Sequence, residues 1–290
     1  MPRLLAPAKL NLTLEVLSRR GDGYHTLRSL MVPIGLYDRL ELEPSAATRF
    51  EVDDPALAGH DNLAVRALAA AGAATPFDVR LAKVIPAGGG LGGGSSDAAA
   101  ILRAAIEGQL GQVTACDWLD AARRLGSDVP FFLAGTAALV EGAGERVTGI
   151  GALPHWWSVV VRPPVAVPTA EAYRLLDAAR ASNPPPSRPR ANSLSLQAVD
   201  ALQRADFAAL RNTLVNDFHE PVLAAYPAVA RADAALRAAG GANALLSGSG
   251  SCLFALFESE RDARECAGRV DTATTEAVFV APLHHDPAWR

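Results

Sequence analysis

The stretch Gly88-Gly89-Gly90-Leu91-Gly92-Gly93-Gly94-Ser95-Ser96-Asp97 constrains this chain more than any other. Six glycines in seven residues cannot form a helix or strand interior, because glycine loses the most backbone freedom on ordering. The stretch is therefore a loop. Phe77 to Val84 before it reads as a strand leading into Pro86, and a helix follows at once. On that helix Ile101, Leu102, Ala105 and Ile106 share one face, while Arg103 and Glu107 lie four apart on the other. Ser95, Ser96 and Asp97 are all favourable N-cap types.

A strand, a glycine loop and a helix in that order form a device for holding phosphate. Glycine lets the backbone take φ > 0 and approach a ligand closely. The free N–H groups of the first helical turn point at the anion, and the helix dipole adds favourable partial charge. The hydroxyls of Ser95 and Ser96 can bond phosphate or coordinate Mg²⁺. No Gly-Lys-Ser/Thr follows the glycines, so this is not a Walker A loop. Nor does a strand ending in an acidic residue follow about 20 residues on, as a dinucleotide fingerprint requires. A flexible linker is the plainer alternative, but such linkers lie between domains and run for longer.

Composition narrows the class. The chain has 290 residues, enough for one large domain or two of average size, and 50% are hydrophobic, which excludes wholesale disorder. A formal charge of −4 argues against a strongly basic nucleic-acid binder. The three cysteines, Cys116, Cys252 and Cys266, lack CxxC spacing and fit a reducing cytoplasm better than a disulfide framework. The opening residues are broken by Pro2 and Pro7, so no secretion signal is expected. Ala238 to Phe257 is uncharged, yet too rich in glycine and serine for a lipid-facing span.

The remaining elements indicate an α+β protein. Lys9 to Val16 alternates as a half-buried strand, Arg19 to Gly23 as a turn, and Tyr24 to Leu42 as further β-structure. Asn62 to Ala71 reads as a helix capped by Asp61 or Asn62. Thr114 to Asp117 resembles a capping box for a helix whose apolar face is Trp118, Leu119, Ala122 and Leu125, stopped by Gly126. Ser127 to Pro130 is a polar link before the apolar run Phe131 to Val140. Trp157 to Val161, Cys252 to Phe257 and Ala277 to Ala281 read as strands, and Ala198 to Val215 and Pro227 to Ala239 as helices. Asn183 to Arg190 is proline-rich and extended. A break at Gly149 to Pro154 suggests domains 1–155 and 156–290. His284-His285-Asp286 lacks a further ligand cluster and reads as a polar tail.

Pro86-Ala87-Gly88-Gly89-Gly90-Leu91-Gly92-Gly93-Gly94-Ser95-Ser96 resembles the ATP loop of the GHMP kinases. Three further segments sharpen the resemblance: Pro7 to Leu12 continuing to Arg20-Gly21-Asp22-Gly23-Tyr24-His25, then Leu125 to Pro130, then Leu245 to Cys252. The likeness runs over nearly the whole chain. It is closer to the branch acting on 4-diphosphocytidyl-2-C-methyl-D-erythritol, in non-mevalonate isoprenoid synthesis.

The resemblance implies a two-domain GHMP kinase fold with the active site in the inter-domain cleft. It also implies ATP and Mg²⁺ as cofactors and a small cytidine diphosphate-linked alcohol as the partner, with no nucleic acid and no membrane. The family's catalytic pair falls on Lys9 and Asp128. Taken alone, Lys9 is a surface charge and Asp128 a turn residue. Asn11, Tyr24 and His25 become candidates for reading the cytosine, and Tyr173, in Thr169-Ala170-Glu171-Ala172-Tyr173, for stacking on it. Asn62 and Lys83 correspond to positions near the adenine, although Asn62 also suits a helix cap. Gly248 and Ser249 belong to a small-residue loop closing the cleft beside phosphates and acceptor. Asp97 either caps its helix or organises Mg²⁺, and no all-carboxylate Mg²⁺ site stands out, which suits an ion that borrows substrate phosphates.

Overall fold

A computed structural model describes residues 2–19, 21, 25–114, 117–182 and 193–283. Its backbone is the hairpin of β1 (Arg3–Arg19) and β2 (His25–Pro44). Both strands run longer than their alternation suggested. Along β1 the apolar set Ala6, Ala8, Leu10, Leu12, Leu14 and Val16 is buried, as a period of two requires. The polar set is buried as well, with Lys9, Asn11, Thr13 and Glu15 each at most 4% exposed. The strand expected to be half-buried is thus covered on both faces, because the second half of the chain folds over its polar side.

β1 and β2 lie in a seven-stranded sheet with β3 (Arg49–Val52), β4 (Phe77–Ala82), β5 (Ala137–Gly142), β6 (Arg146–Gly151) and the short β8 (Val215–Asn216). A four-stranded sheet combines β7 (Trp157–Arg162), β9 (Leu245–Leu246), β10 (Leu253–Phe257) and β11 (Ala277–Pro282). Among described residues, strands up to Gly151 belong to the first sheet and those from Trp157 to the second. β8 is the exception, joining β1 in parallel through Thr13–Val215 and Leu14–Asn216. No helix among the described residues is long and apolar enough to cross a membrane.

One core packs helices α1 (Leu63–Ala71), α2 (Gly93–Ile106), α3 (Trp118–Leu125) and α4 (Val129–Ala134) on the first sheet. A second joins the halves, setting Leu10, Leu12, Leu30 and Val32 against Val160, Phe254 and α6 (Leu194–Gln203). A third lies under α5 (Thr169–Ser182), α8 (His219–Ala225), α9 (Pro227–Ala238) and α10 (Glu260–Arg269).

Several local expectations are corrected. α2 starts at Gly93 with Gly92 as N-cap and no side-chain cap, so Ser95, Ser96 and Asp97 lie inside its first turns. Ile106 is 49% exposed while Ala98 to Ala105 are mostly buried, because α2 is enclosed nearly all round. Asp117, not Thr114, caps α3, and Leu119 faces solvent. The run Phe131 to Val140 divides into α4 and β5 at Gly135, whose φ of 69° ends the helix. Ala198 to Val215 is not one helix. α6 ends at Gln203, Ala205 adopts φ 54°, and Asp206 caps α7 (Phe207–Arg211) before β8. The Arg19 to Gly23 turn lies largely outside the described residues. Tyr24, Cys116, the proline-rich segment and His284-His285-Asp286 lie wholly outside them.

The polar side of β1 is anchored to the second half by Glu15. Its carboxylate accepts from Ser193 Oγ (2.5 Å), Ser195 Oγ (2.7 Å) and the Ser195 amide (3.1 Å) at the start of α6. Burial pushes this carboxyl up, but the serine donors more than offset that and hold it below the ordinary range. A depressed carboxyl stabilises the fold above its unfolded value of ~4.3, and that stability is lost as pH falls through the lower folded value. Glu15→Ala is expected to lose about 1–3 kcal/mol in urea denaturation at pH 7. The gap to wild type should close as the pH is taken below that of the folded carboxyl.

Candidate active site

The glycine loop is stitched to both halves of the chain. The Lys9 amide donates to Leu91 O (3.0 Å), Cys252 N to Gly89 O (3.1 Å) and Ser247 Oγ to Gly90 O (3.1 Å). Gly88, Gly90 and Gly92 take φ of 67°, 76° and 75°, which side chains avoid. A Cβ at Gly90 would sit 2.0 Å from the Ser247 carbonyl oxygen. The fold thus needs bare backbone there. With no side chain capping α2, the N–H groups of its first turn remain available to an anion.

Lys9 projects from the middle of β1 with its side chain 4% exposed, and its Nζ lies 3.8 Å from Asp128 Oδ2. It also donates to Asn11 Oδ1. Burial drives the Lys9 pKa down, and the Asp128 carboxylate opposes that shift. Asp128 is delivered by the end of α3 at Gly126 and the start of α4 at Val129-Pro130, proline being suited to a first helical turn. Its side chain does not cap α4, so a turn residue's usual task is not what occupies this carboxylate.

Lys9, Asn11, Asp128 and Gly88, Gly90 and Gly92 border one cleft of about 960 Å³. His25, Thr169 and Tyr173 line it too, and Gly248, with Ser249 after it, comes in from the C-terminal half against Gly90 and the Lys9 ammonium. His25 stacks on Tyr173 (centroids 4.6 Å, 19° between planes) and its Nε2 lies 3.0 Å from Asp177 Oδ1. An ionised carboxylate only accepts, so Nε2 carries the proton in that contact. Phe218 meets Tyr173 edge-on at 4.8 Å. Burial, then Asp128 and Asp177, push the Tyr173 hydroxyl up. Thr169 Oγ1 and Ser249 Oγ, 3.0 Å apart, link α5 to the loop of the C-terminal half.

Other candidates fall elsewhere. Asn11 sits beside Lys9 at mid-strand, whereas His25 pairs with Arg19 at the end of the ladder, so Asn11 is not at the aromatic end. Lys83, Pro86 and Ala87 line a second cavity of about 300 Å³ with Asp53, Leu57 and Arg162. The Lys83 ammonium is engaged by Asp38 (2.5 Å) and Asp97 (2.8 Å). Burial lowers the Lys83 pKa, but Asp97 and Asp38 raise it further, to a net rise. Burial pushes the Asp97 carboxyl up to about 7, against Lys83 and with Asp38. Asn62 caps α1 through Ala64 N and donates to Leu57 O. Gly89 packs on Cys252, whose thiol burial pushes up to about 12, a packing group and not a nucleophile. Leu91 is fully buried. Gly93 and Gly94 open α2, followed by Ser95 and the buried Ser96.

Asp177, Phe218 and Ser29 were not singled out from sequence. Asp177 lies four residues after Tyr173, a spacing that places both on one helix face. A further signal was compositional: of 27 basic residues only Lys9 and Lys83 are lysines, and both border these cavities.

Residues 62–136 match the family model "GHMP kinases N terminal domain", and residues 198–274 match "GHMP kinases C terminal". Solved structures of a homoserine kinase from Cytophaga hutchinsonii (18% identical, TM-score 0.65, 96% of this chain and 93% of that one) and of L. major mevalonate kinase (17%, 0.68, 97% and 95%) share the fold. The fold is that of the GHMP kinases. More specific relatives are the 4-diphosphocytidyl-2-C-methyl-D-erythritol kinases of Symbiobacterium thermophilum (40% identical, 91% of this chain and 92% of the relative) and Solidesulfovibrio magneticus (40%, 97% and 96%). A crystal structure of 4-(cytidine 5'-diphospho)-2C-methyl-D-erythritol kinase is 36% identical with TM-score 0.79 over 97% of this chain and 98% of that one. The chain belongs to this kinase family.

Two glycines of the loop should respond oppositely to alanine. Gly90→Ala meets both a positive φ and the Ser247 carbonyl, and is expected to lower Tm by several degrees. Gly94→Ala lies in the first turn of α2, where a Cβ meets only Leu63 Cδ1 at 3.6 Å, and is expected to raise Tm slightly. Thermal unfolding of both variants checks this.

Proposed function

We propose that this chain transfers the γ-phosphate of ATP to the 2-hydroxyl of 4-diphosphocytidyl-2-C-methyl-D-erythritol, a step in non-mevalonate isoprenoid precursor synthesis. The observation that carries the proposal is the buried Lys9 ammonium 3.8 Å from the Asp128 carboxylate, in the cleft rimmed by the glycine loop. Phosphoryl transfer to an alcohol needs a held triphosphate, positive charge near the moving group and an acceptor for the hydroxyl proton. The glycine loop and the uncapped start of α2 suit the first need, Lys9 the second and Asp128 the third. In this reading the acceptor proton passes to Asp128, while Lys9 stabilises charge on the acceptor oxygen and the transferring group. The division into an ATP-binding half (1–155) and a C-terminal half (156–290) accords with the change of sheet between Gly151 and Trp157.

Mg²⁺ fits the residues present. Ser96 Oγ is buried and has no hydrogen-bond partner, a hard oxygen donor in the first turn of α2. Ser96, together with substrate phosphate oxygens, would hold the ion. Bound there, it would supply charge neutralisation at the phosphates.

The cytidine end falls to His25, Tyr173 and Thr169. The two rings already touch, so a base using the His25-facing side of Tyr173 must displace the imidazole. The adenine side falls to the second cavity, with Pro86 and Ala87. With its ammonium paired to Asp38 and Asp97, Lys83 contributes there through the placement of its main chain.

ADP release from ATP and the cytidylylated alcohol tests the reading. Asp128→Asn is expected to lower kcat by about 10²–10⁴-fold, as loss of a general base does. Turnover retained within about tenfold would remove the base role. Mevalonate or homoserine outcompeting the cytidylylated acceptor would move the chain to another kinase of the same fold, and a folded, nucleotide-binding protein that forms no ADP would make it a ligand sensor.

A further inference from the structure

Resting on the kinase reading above, we propose that Ser29 is a positioning residue for phosphoryl transfer: its hydroxyl fixes the Asn11 amide with the carbonyl oxygen toward Lys9, and Asn11 in turn holds the Lys9 ammonium beside Asp128. A serine hydroxyl has a single proton to give. Ser29 Oγ lies 2.6 Å from the Thr13 carbonyl oxygen, which can only accept, so the proton is committed there. Toward its other neighbour, the Asn11 amide at 2.8 Å, Ser29 must therefore accept. That requirement puts Nδ2 of Asn11 on the side of Ser29 and Oδ1 on the side of Lys9. An ammonium has three donors and no acceptor, so Oδ1 is the end it can use.

The backbone explains why these groups meet. The β1–β2 register shifts between Asn11 and Thr13, bringing a β1 carbonyl and the Asn11 side chain to one hydroxyl on β2. Thr13 is pinned separately: its hydroxyl accepts from the Leu30 amide (2.9 Å) and donates to Ser195 Oγ (2.7 Å). Asn11 is 4% exposed and Ser29 1%, so solvent offers little competition. Asp128, before α4, is the charged group facing Lys9. Asn11 and Ser29 on the hairpin are neutral, and the loops at Leu91 and Gly248 present main chain.

Removing the hydroxyl leaves a buried amide donor without its acceptor and frees the amide to turn. Turned, it sets an NH₂ against the ammonium, two donors facing each other, which favours a neutral Lys9.

The chain's two lysines make the test direct. Protein labelled with ¹³C at lysine Cε gives two signals, and Lys9→Met assigns them. In Ser29→Ala the Lys9 signal is expected to titrate about one unit lower than in wild type, with the Lys83 signal unmoved. For kcat a fall of about tenfold is expected, with KM for ATP changed less than about twofold. Ser29→Thr, which keeps the hydroxyl, should restore both readings. On an Asn11→Ala background, Ser29→Ala should cost less than about twofold more. An unmoved Lys9 titration, or a full additional loss on the Asn11→Ala background, overturns the proposal. If Ser29→Ala does not fold, Ser29→Cys, with a weak donor and acceptor, takes its place. Should wild type form no ADP from the cytidylylated alcohol, the kinase reading fails, while the Lys9 titration still decides the role of Ser29.

Discussion

The architecture turns on holding one ammonium away from water. An isolated buried charge is costly, and a lysine in that position lowers its pKa unless partners oppose the change. Here the Asp128 carboxylate opposes it, and two further contacts fix the lysine in place. Asp128 arrives from the helical layer, Asn11 from the same strand, and the glycine loop closes over the lysine stem through the Lys9–Leu91 main-chain bond. Asn11 is local to the strand, but Asp128 and Leu91 are not, so the ammonium is secured only once the sheet, the helices and the glycine loop have assembled. A carboxylate held next to an ammonium offers a proton acceptor and a positive charge at one place, two of the things that alcohol phosphorylation requires.

The glycine loop does more than leave its amides bare. It is a seam between the halves, with Gly90 O taken by Ser247 and Gly89 O by Cys252. Its positive-φ glycines allow the main chains of two domains to touch where any side chain would hold them apart. The same backbone therefore leaves the amides at the start of α2 bare and joins the two halves, which ties the arrangement of the cleft to the shape of the loop.

Much of this was legible in the sequence. The glycine run had to be a loop between a strand and a helix, as it is, and the alternation of β1 marked a strand. Burial of the polar face of that strand was not legible, since the residues covering it, Ser193 and Ser195, lie in a distant helix start. The α6–α7 break was hidden by an alanine-rich run in which Asp206 was the one cue. Lys9 and Asp128 are far apart in the chain, and no periodicity joins them; resemblance supplied the pair. The scarcity of lysine was a readable clue in its own right. Where arginine serves everywhere else, the two lysines mark buried places where a compact ammonium is set against carboxylates, Lys9 against Asp128 and Lys83 against Asp38 and Asp97.

The outer edge of β1 has a consequence for dissecting the molecule. Lys9 N there is satisfied by the loop, Thr13 and Leu14 by β8, Leu14 O by the Asp217 amide and Val16 N by the Asp217 carboxylate. A fragment cut near residue 155 would keep the loop but lose the other three contacts, leaving a stretch of unpaired strand margin with apolar neighbours. Such a margin is a template for another chain. The C-terminal half thus serves as the permanent cover of that edge, through β8 and Asp217.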